Sequence, residues 1–466
     1  MTSTGHRNEN ASSHDSNLQN DEASSRRAVV VACIAITFIT GMTLRPLGFY
    51  FVNFISHFES AREPVAWAVS LTSASVLFAG VLAKLLRRWF SAWSLIIIGS
   101  LCQVTGVFFA CVAPDVYMLA LSFGFLHGIG AGLVFILCGT LIEERFKENR
   151  ARVIKLNVTA SCAAGIAFPR LLLFIRQTYG YKGLMLISAG FLLNVPALCF
   201  LLRQSGKNDK NHNIPQQSPS EVFTIKPQNS DLTQSNLQCH RKTIYKLPMF
   251  YFIAASHLTF FYIINLCTCI MVDTILSKGV PVEYTITVAP AATVFDWIGR
   301  IVFPIATEKG YFSRSSLLTI DYLVVGVGLL MIPFAYNYCT VLATCVSFGA
   351  FSGHAITVHN SLMAEKIGAD QVGISNVIVT CIAAATFLTK PFVIGHFRDN
   401  LGSYDGLFHI AGLVTLCNAG AWLVVNCLTR HLKKRTWMTA NPQMRHYKEP
   451  VLTNYQSCFF TTMMAE

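Results

Sequence analysis

Charge is what this chain has least of. Of its 466 residues only 13% are Asp, Glu, Lys or Arg, while 53% are hydrophobic, a balance that a water-soluble protein of this size cannot hide under polar surface. Its apolar stretches also lack period-two alternation, which excludes a membrane β-barrel. A disulfide framework is missing as well. Cys33, Cys102, Cys138, Cys162 and Cys381 lie inside apolar runs, where a thiol behaves as a small hydrophobe. Cys267 and Cys269 are closely spaced, but no His or further Cys stands near them, so neither a metal nor another cofactor is expected. Residues 1–25 have no apolar core and no small-residue cleavage site of a signal peptide, and read as a disordered polar tail.

What is present is a succession of apolar runs, each long enough for the roughly 20 residues that cross a bilayer as a helix. Six of them, at 28–54, 65–86, 93–112, 116–142, 153–175 and 183–202, make a first half within 26–203. A polar segment rich in Gln, Asn, Ser and Lys follows at 204–245 and reads as a linker. Six more, at 247–272, 284–306, 317–335, 341–364, 372–395 and 406–428, make a second half within 246–428, and 429–466 is a mixed, basic tail. The expected fold is therefore an all-α membrane protein with twelve transmembrane helices in two six-helix halves. That pattern is the hydropathy signature of the major facilitator fold, in which cargo binds near the midplane between halves.

The net charge of +12 would point to nucleic acid if it lay on one soluble face. Here the basic residues sit at the ends of apolar runs, where they set orientation. One side gathers Arg26, Arg27, Arg87, Arg88, Arg145, Lys147, Arg150 and the linker and C-terminal clusters, against Arg62, Arg176, Lys182, Lys278 and Arg398 on the other. Both termini and the linker are expected in the cytoplasm, with the protein in the plasma membrane.

The run around 284–305 carries Asp296 and Arg300, four residues apart and so on one face of a helix. Each charge alone costs roughly 2.5–3.5 kcal/mol at mid-membrane, so the two must pair, face a wet cavity, or both. In the first run, Arg45 precedes Pro46 deep among apolar residues, where the proline removes a backbone hydrogen bond. Arg45 and Arg300 against Asp296 leave one positive charge over, which suits an anion. An arginine fork binds a carboxylate by two parallel hydrogen bonds. Arg45 and Arg300 are thus expected to bind a substrate carboxylate, with Asp296 as their counterion. Asn157, His354 and Asn360, polar residues inside other runs, join them as substrate-binding candidates, although a lone Asn or His in a membrane helix is more often an interhelical hydrogen bond.

These residues resemble the monocarboxylate transporters of the major facilitator superfamily. Arg45-Pro46-Leu47-Gly48-Phe49-Tyr50-Phe51 with Val65 to Ser70 is similar to that family's first signature, and Asp296-x-x-x-Arg300 to its D-x-x-x-R in the eighth helix. Tyr179-Gly180-Tyr181-Lys182-Gly183 is similar to Y-G-W-R-G, and Pro391 through Gly395 with Asp399-x-x-Gly402-x-Tyr404 to P-x-x-x-G-x-x-x-D-x-x-G-x-Y. The chain departs from the family in lacking an acidic G-G-W-G-W stretch before the first helix and in having Lys155 where a glycine is usual. The resemblance implies proton-linked symport of a small monocarboxylate of the lactate or pyruvate type, with Asp296 handling the proton and Arg300 binding the substrate carboxylate. Proton-independent transport of aromatic amino acids or related zwitterions is the rival reading, and a non-transporting sensor or partner subunit a third. The expected partners are the carboxylate, protons, the lipid bilayer and a single-span ancillary membrane protein, with no nucleic acid. No enzyme is expected, because no convergent catalytic set stands outside the helices.

Overall fold

Apolar runs bounded by short polar turns fold as helices wherever the backbone must satisfy its own hydrogen bonds. The structure, a computed structural model, describes residues 27–146, 150–208, 248–367 and 369–440, and every regular element among them is helical. The first half comprises α1 (Arg27–Leu44), α2 (Leu47–Phe58), α3 (Arg62–Leu86), α4 (Ala92–Cys111), α5 (Val116–Glu144), α6 (Arg150–Leu192) and α7 (Asn194–Asn208). The second comprises α8 (Pro248–Ser277), α9 (Val282–Glu308), α10 (Arg314–Met331), α11 (Tyr338–Ile367), α12 (Ala369–Phe387), α13 (Lys390–Asn400) and α14 (Asp405–Ala440).

Local chemistry explains several boundaries. Arg45 still donates its amide to Gly41, but Pro46 has no N–H to continue the ladder, and the helix restarts with Phe49 and Tyr50 donating to the Pro46 carbonyl. Ser91, Asp115 and Ser313 cap α4, α5 and α10 by accepting from backbone amides three residues on. Within α5, residues Ala120–His127 open into a π-helix, a form that clusters at functional positions. The His127 ring there meets the Thr43 hydroxyl at 2.8 Å.

Among the described residues ten helices are long and apolar enough to span a membrane, or eleven if α12 and α13, bent by 41°, count as one. The expectation of twelve differs from this at Val153–Phe200, a run of 48 residues. A straight helix of that length would reach about 72 Å, more than twice a hydrocarbon core of about 30 Å. Gly180, with φ 68° and ψ −167°, turns it midway. Val153 before the turn and Val195, Cys199 and Leu202 after it share one buried cluster with Val29 and Ile142, so the run crosses and comes back. The second half begins, as described, at Pro248, and α7 and α14 run on to Asn208 and Ala440. The segments 1–25, 209–245 and 441–466, read from sequence as tails and linker, lie outside the described residues.

The main core spans both halves: Phe49, Tyr50, Phe54 and Phe123 from the first join Phe260, Ile264, Tyr322 and Phe408 from the second. Across the seam α2 packs on α8, α3 on α12 and α13, and α6 on α9. Gly48 permits the first of these contacts, because a Cβ there would meet the carbonyl oxygens of Thr268 and Cys269 at 3.0 Å. This seam is where the charged residues meet.

Candidate functional site: a three-charge cluster between the halves

α9 delivers Asp296 and Arg300 one turn apart, and Arg300 folds back along its own helix. Its Nε donates to both Asp296 oxygens at 3.1 Å and its Nη2 donates to Oδ1 at 3.0 Å. From the other half, the Arg45 Nη1 stands 3.8 Å from Asp296 Oδ2. One carboxylate thus faces two guanidinium groups, and a positive charge is left over. The cluster is sheltered, with Asp296 and Arg300 side chains 14% and 16% exposed, and Arg45 opens further at 29%. Arg45 is thus the most accessible of the three.

The surrounding helices hold this geometry. Arg45 Nε donates to Ser161 Oγ at 2.9 Å, and its Nη2 lies 3.6 Å from Cys162 Sγ. Gly165, one turn on, lets α6 approach Thr293 of α9 and the Cβ of Arg45. Trp297, next to Asp296, donates its indole N–H to Thr159 at 2.9 Å and ties α9 to α6. Gly353 of α11 lies directly against Asp296, where any side chain would overlap its Oδ1 and its carbonyl oxygen.

The other sequence candidates are placed apart from the trio. Asn157 is buried and accepts from Thr37 at 2.8 Å, joining α6 to α1 one turn from Ser161. His354 neighbours Gly353, but its ring is committed to Asp321 of α10, with Nδ1 2.6 Å from Oδ2 and both side chains buried. Asn360 is exposed. Sequence reasoning missed Ser161 and Cys162 as arginine partners, although their position one turn after Asn157 was a usable signal. Gly353 carried none, and Asp321, an acid inside an apolar run, gave no sign of its partner.

The bundle end opposite the described termini is tied across the halves. Asp399 at the end of α13 accepts from the first two amides of α3, Arg62 N at 3.0 Å and Glu63 N at 2.8 Å. The Arg62 side chain reaches Asp273 of α8 at 3.5 Å, and Tyr404 donates to the same carboxylate at 2.8 Å. At the end nearer the termini, Arg87–Glu144 at 2.5 Å and Arg314–Glu365 at 3.2 Å each stay within one half. The conformer is thus locked by charge at the far end and at the centre.

Two helical halves meeting at a sheltered, unbalanced charge cluster define a multi-pass membrane protein built as a secondary carrier. The chain belongs to the Major Facilitator Superfamily, whose family model matches residues 31–389. It is 22% identical over 401 residues to monocarboxylate transporter 12 of Mus musculus, covering 83% of this chain and 82% of that one. To monocarboxylate transporter 13 of Rattus norvegicus it is 23% identical over 389 residues, covering 82% and 84%. To human monocarboxylate transporter 11 it is 22% identical over 396 residues, covering 83% and 80%. The resemblance to monocarboxylate transporters drawn from the sequence is met by these relatives, at 22–23% identity. In fold it is similar to a mutant form of the nucleoside transporter NupG, with a TM-score of 0.64 at 9% identity over 86% of this chain and 99% of that one.

Proposed function

We propose that the protein is a proton-linked symporter of a small monocarboxylate of the lactate or pyruvate type. The observation that carries this reading is the Arg45–Asp296–Arg300 cluster with its one unbalanced positive charge. A substrate carboxylate takes the fork that Asp296 now occupies on Arg300, and Arg45 holds it from the other half. Moving a monoanion inward against 100 mV costs about 2.3 kcal/mol, which one co-transported proton removes. Arginine keeps its proton under all ordinary conditions, so the travelling proton falls to Asp296. Once protonated, Asp296 releases Arg300 to the substrate, and the next deprotonation restores the pair.

The carrier sits in the plasma membrane with both termini in the cytoplasm, as the distribution of Lys and Arg supports. The test is uptake of labelled lactate or pyruvate into proteoliposomes at two external pH values. Uptake rises as external pH falls, and Asp296→Asn removes that dependence. Uptake indifferent to pH in the wild type rejects the coupling and selects facilitated transport, with aromatic amino acids the first cargo to assay.

A further inference from the structure

Lys390 is a further buried cation, outside the three-charge cluster. It is 1% exposed at the start of α13, and no acid pairs with it among the described residues. Its Nζ donates to Asn265 Oδ1 of α8 at 2.5 Å and lies 4.2 Å from the centre of the Phe387 ring. One neutral acceptor and one ring face leave an ammonium at membrane depth without a countercharge, a costly arrangement that in membrane proteins marks function.

The chemistry of Asn265 sharpens this. Lysine has donors only, so the amide must turn its oxygen toward Nζ and its Nδ2 outward. No protein acceptor among the described residues takes the two N–H groups of Nδ2, and Asn265 is only half-buried. An ammonium and a free amide N–H on one spot are an oxyanion site waiting for its acceptor.

Its depth matches the central cluster. α8 ends at Ser277 and α9 starts at Val282 across a short turn, so distances along the two helices can be counted from a common level. At 1.5 Å per residue, Asn265 lies about 18 Å in from Ser277 and Asp296 about 21 Å in from Val282. Two sites of unbalanced positive charge therefore share the midplane.

We propose that Lys390 and Asn265 form a second carboxylate-binding site, so that the carrier accepts dicarboxylates of matching length besides monocarboxylates. One carboxylate binds at Arg45 and Arg300, the other at Lys390 and Asn265. The first half of this assignment rests on the function proposed above; the second does not. In the conformer described Lys390 is closed to solvent, and the carboxylate enters past the half-buried Asn265.

The test is competition against labelled lactate on the purified full chain, using unbranched dicarboxylates of three to eight carbons and the monocarboxylates of equal length. At one length the dicarboxylate competes about tenfold better than its monocarboxylate partner, the worth of one added charge-assisted hydrogen bond. Lys390→Met and Asn265→Leu remove that advantage and leave monocarboxylate affinity within about twofold, which also shows that both variants are folded; Lys390→Arg retains part of it. The second site is overturned if no length favours the dicarboxylate, or if Lys390→Met weakens both classes equally. If lactate itself does not bind, direct binding of labelled dicarboxylates replaces competition. Lys390-dependent binding then upholds the second site while the monocarboxylate reading falls, and its absence overturns the second site too.

Discussion

Gly353 has no side chain because Asp296 occupies the place of one: a Cβ at 353 would overlap the Asp296 Oδ1 and carbonyl oxygen. α11 and α9 are thus fitted to each other at the residue on which the charge cluster turns.

Gly353→Ala therefore displaces Asp296 rather than merely filling space. Overpacking of this kind costs about 1–3 kcal/mol, and the clash includes backbone, which cannot swing aside. We expect the variant to fold with a lowered melting temperature and to lose at least about nine-tenths of wild-type uptake, because a shift of about 1 Å at a reacting geometry is worth about a hundredfold. Gly165→Ala, whose Cβ would meet side-chain atoms, the Thr293 methyl at 3.0 Å, the Thr293 hydroxyl at 3.4 Å and the Arg45 Cβ at 3.5 Å, serves as the milder control. Uptake by Gly353→Ala equal to the wild type would show that the contact is slack.

Arg300 and lysine are not equivalent at this position. Nε and Nη2 together grip the Asp296 carboxylate, a fork that a lysine ammonium cannot reproduce. Arg300→Lys keeps the charge and should still raise the KM for lactate by about tenfold, with Arg300→Ala raising it further. A wild-type KM in Arg300→Lys would mean that charge alone, without geometry, binds the cargo.

The far-end tie is testable without any cargo. Asp399 caps two backbone amides of α3 from the opposite half, and removal of such a cap costs about 0.5–2 kcal/mol. In hydrogen–deuterium exchange, Asp399→Ala should speed exchange of the first α3 turn, at 62–66, by about fivefold, the equivalent of about 1 kcal/mol. Arg62→Ala removes the bridge to Asp273 but not the cap, and should speed it less. Unchanged exchange in Asp399→Ala would show that the halves are held elsewhere.

The membrane class and most of the spans were legible in composition, since a helix in lipid needs only a long enough apolar run. The charge trio was legible too, because Arg45, Asp296 and Arg300 stand out against so apolar a background. Partners were not. Asp321 stands in an apolar run with no partner visible in the sequence, and only the fold brings it to His354 and so withdraws that ring from the central cluster. Ser161 and Cys162 look like small helix-packing residues until Arg45 is seen leaning on them across 116 and 117 positions of chain. Asn265 and Lys390 are each an isolated polar residue until paired across 125. Spacing along one helix can be read from a sequence; which face of another helix it meets cannot.

Arg45 gives the sharpest test of where the proton travels. Its Nε and Nη2 rest on Ser161 and Cys162 while Nη1 faces Asp296, so it serves as a fixed positive post that cannot release its proton. Arg45→Lys puts a deprotonatable group in the same place and gives up the contacts to α6. The substitution should raise the KM for lactate by about tenfold or more, by loss of one charge-assisted hydrogen bond of about 1.5 kcal/mol or more, and should give uptake a second ionisable group. The decisive comparison is the double variant Arg45→Lys with Asp296→Asn. If Asp296 is the proton carrier in the wild type, Asp296→Asn alone is indifferent to external pH, and adding Arg45→Lys restores a dependence, because the new lysine can now take up and release the proton. If Asp296→Asn alone still responds to pH as the wild type does, the proton is carried by another group and Asp296 serves only to hold the two arginines apart.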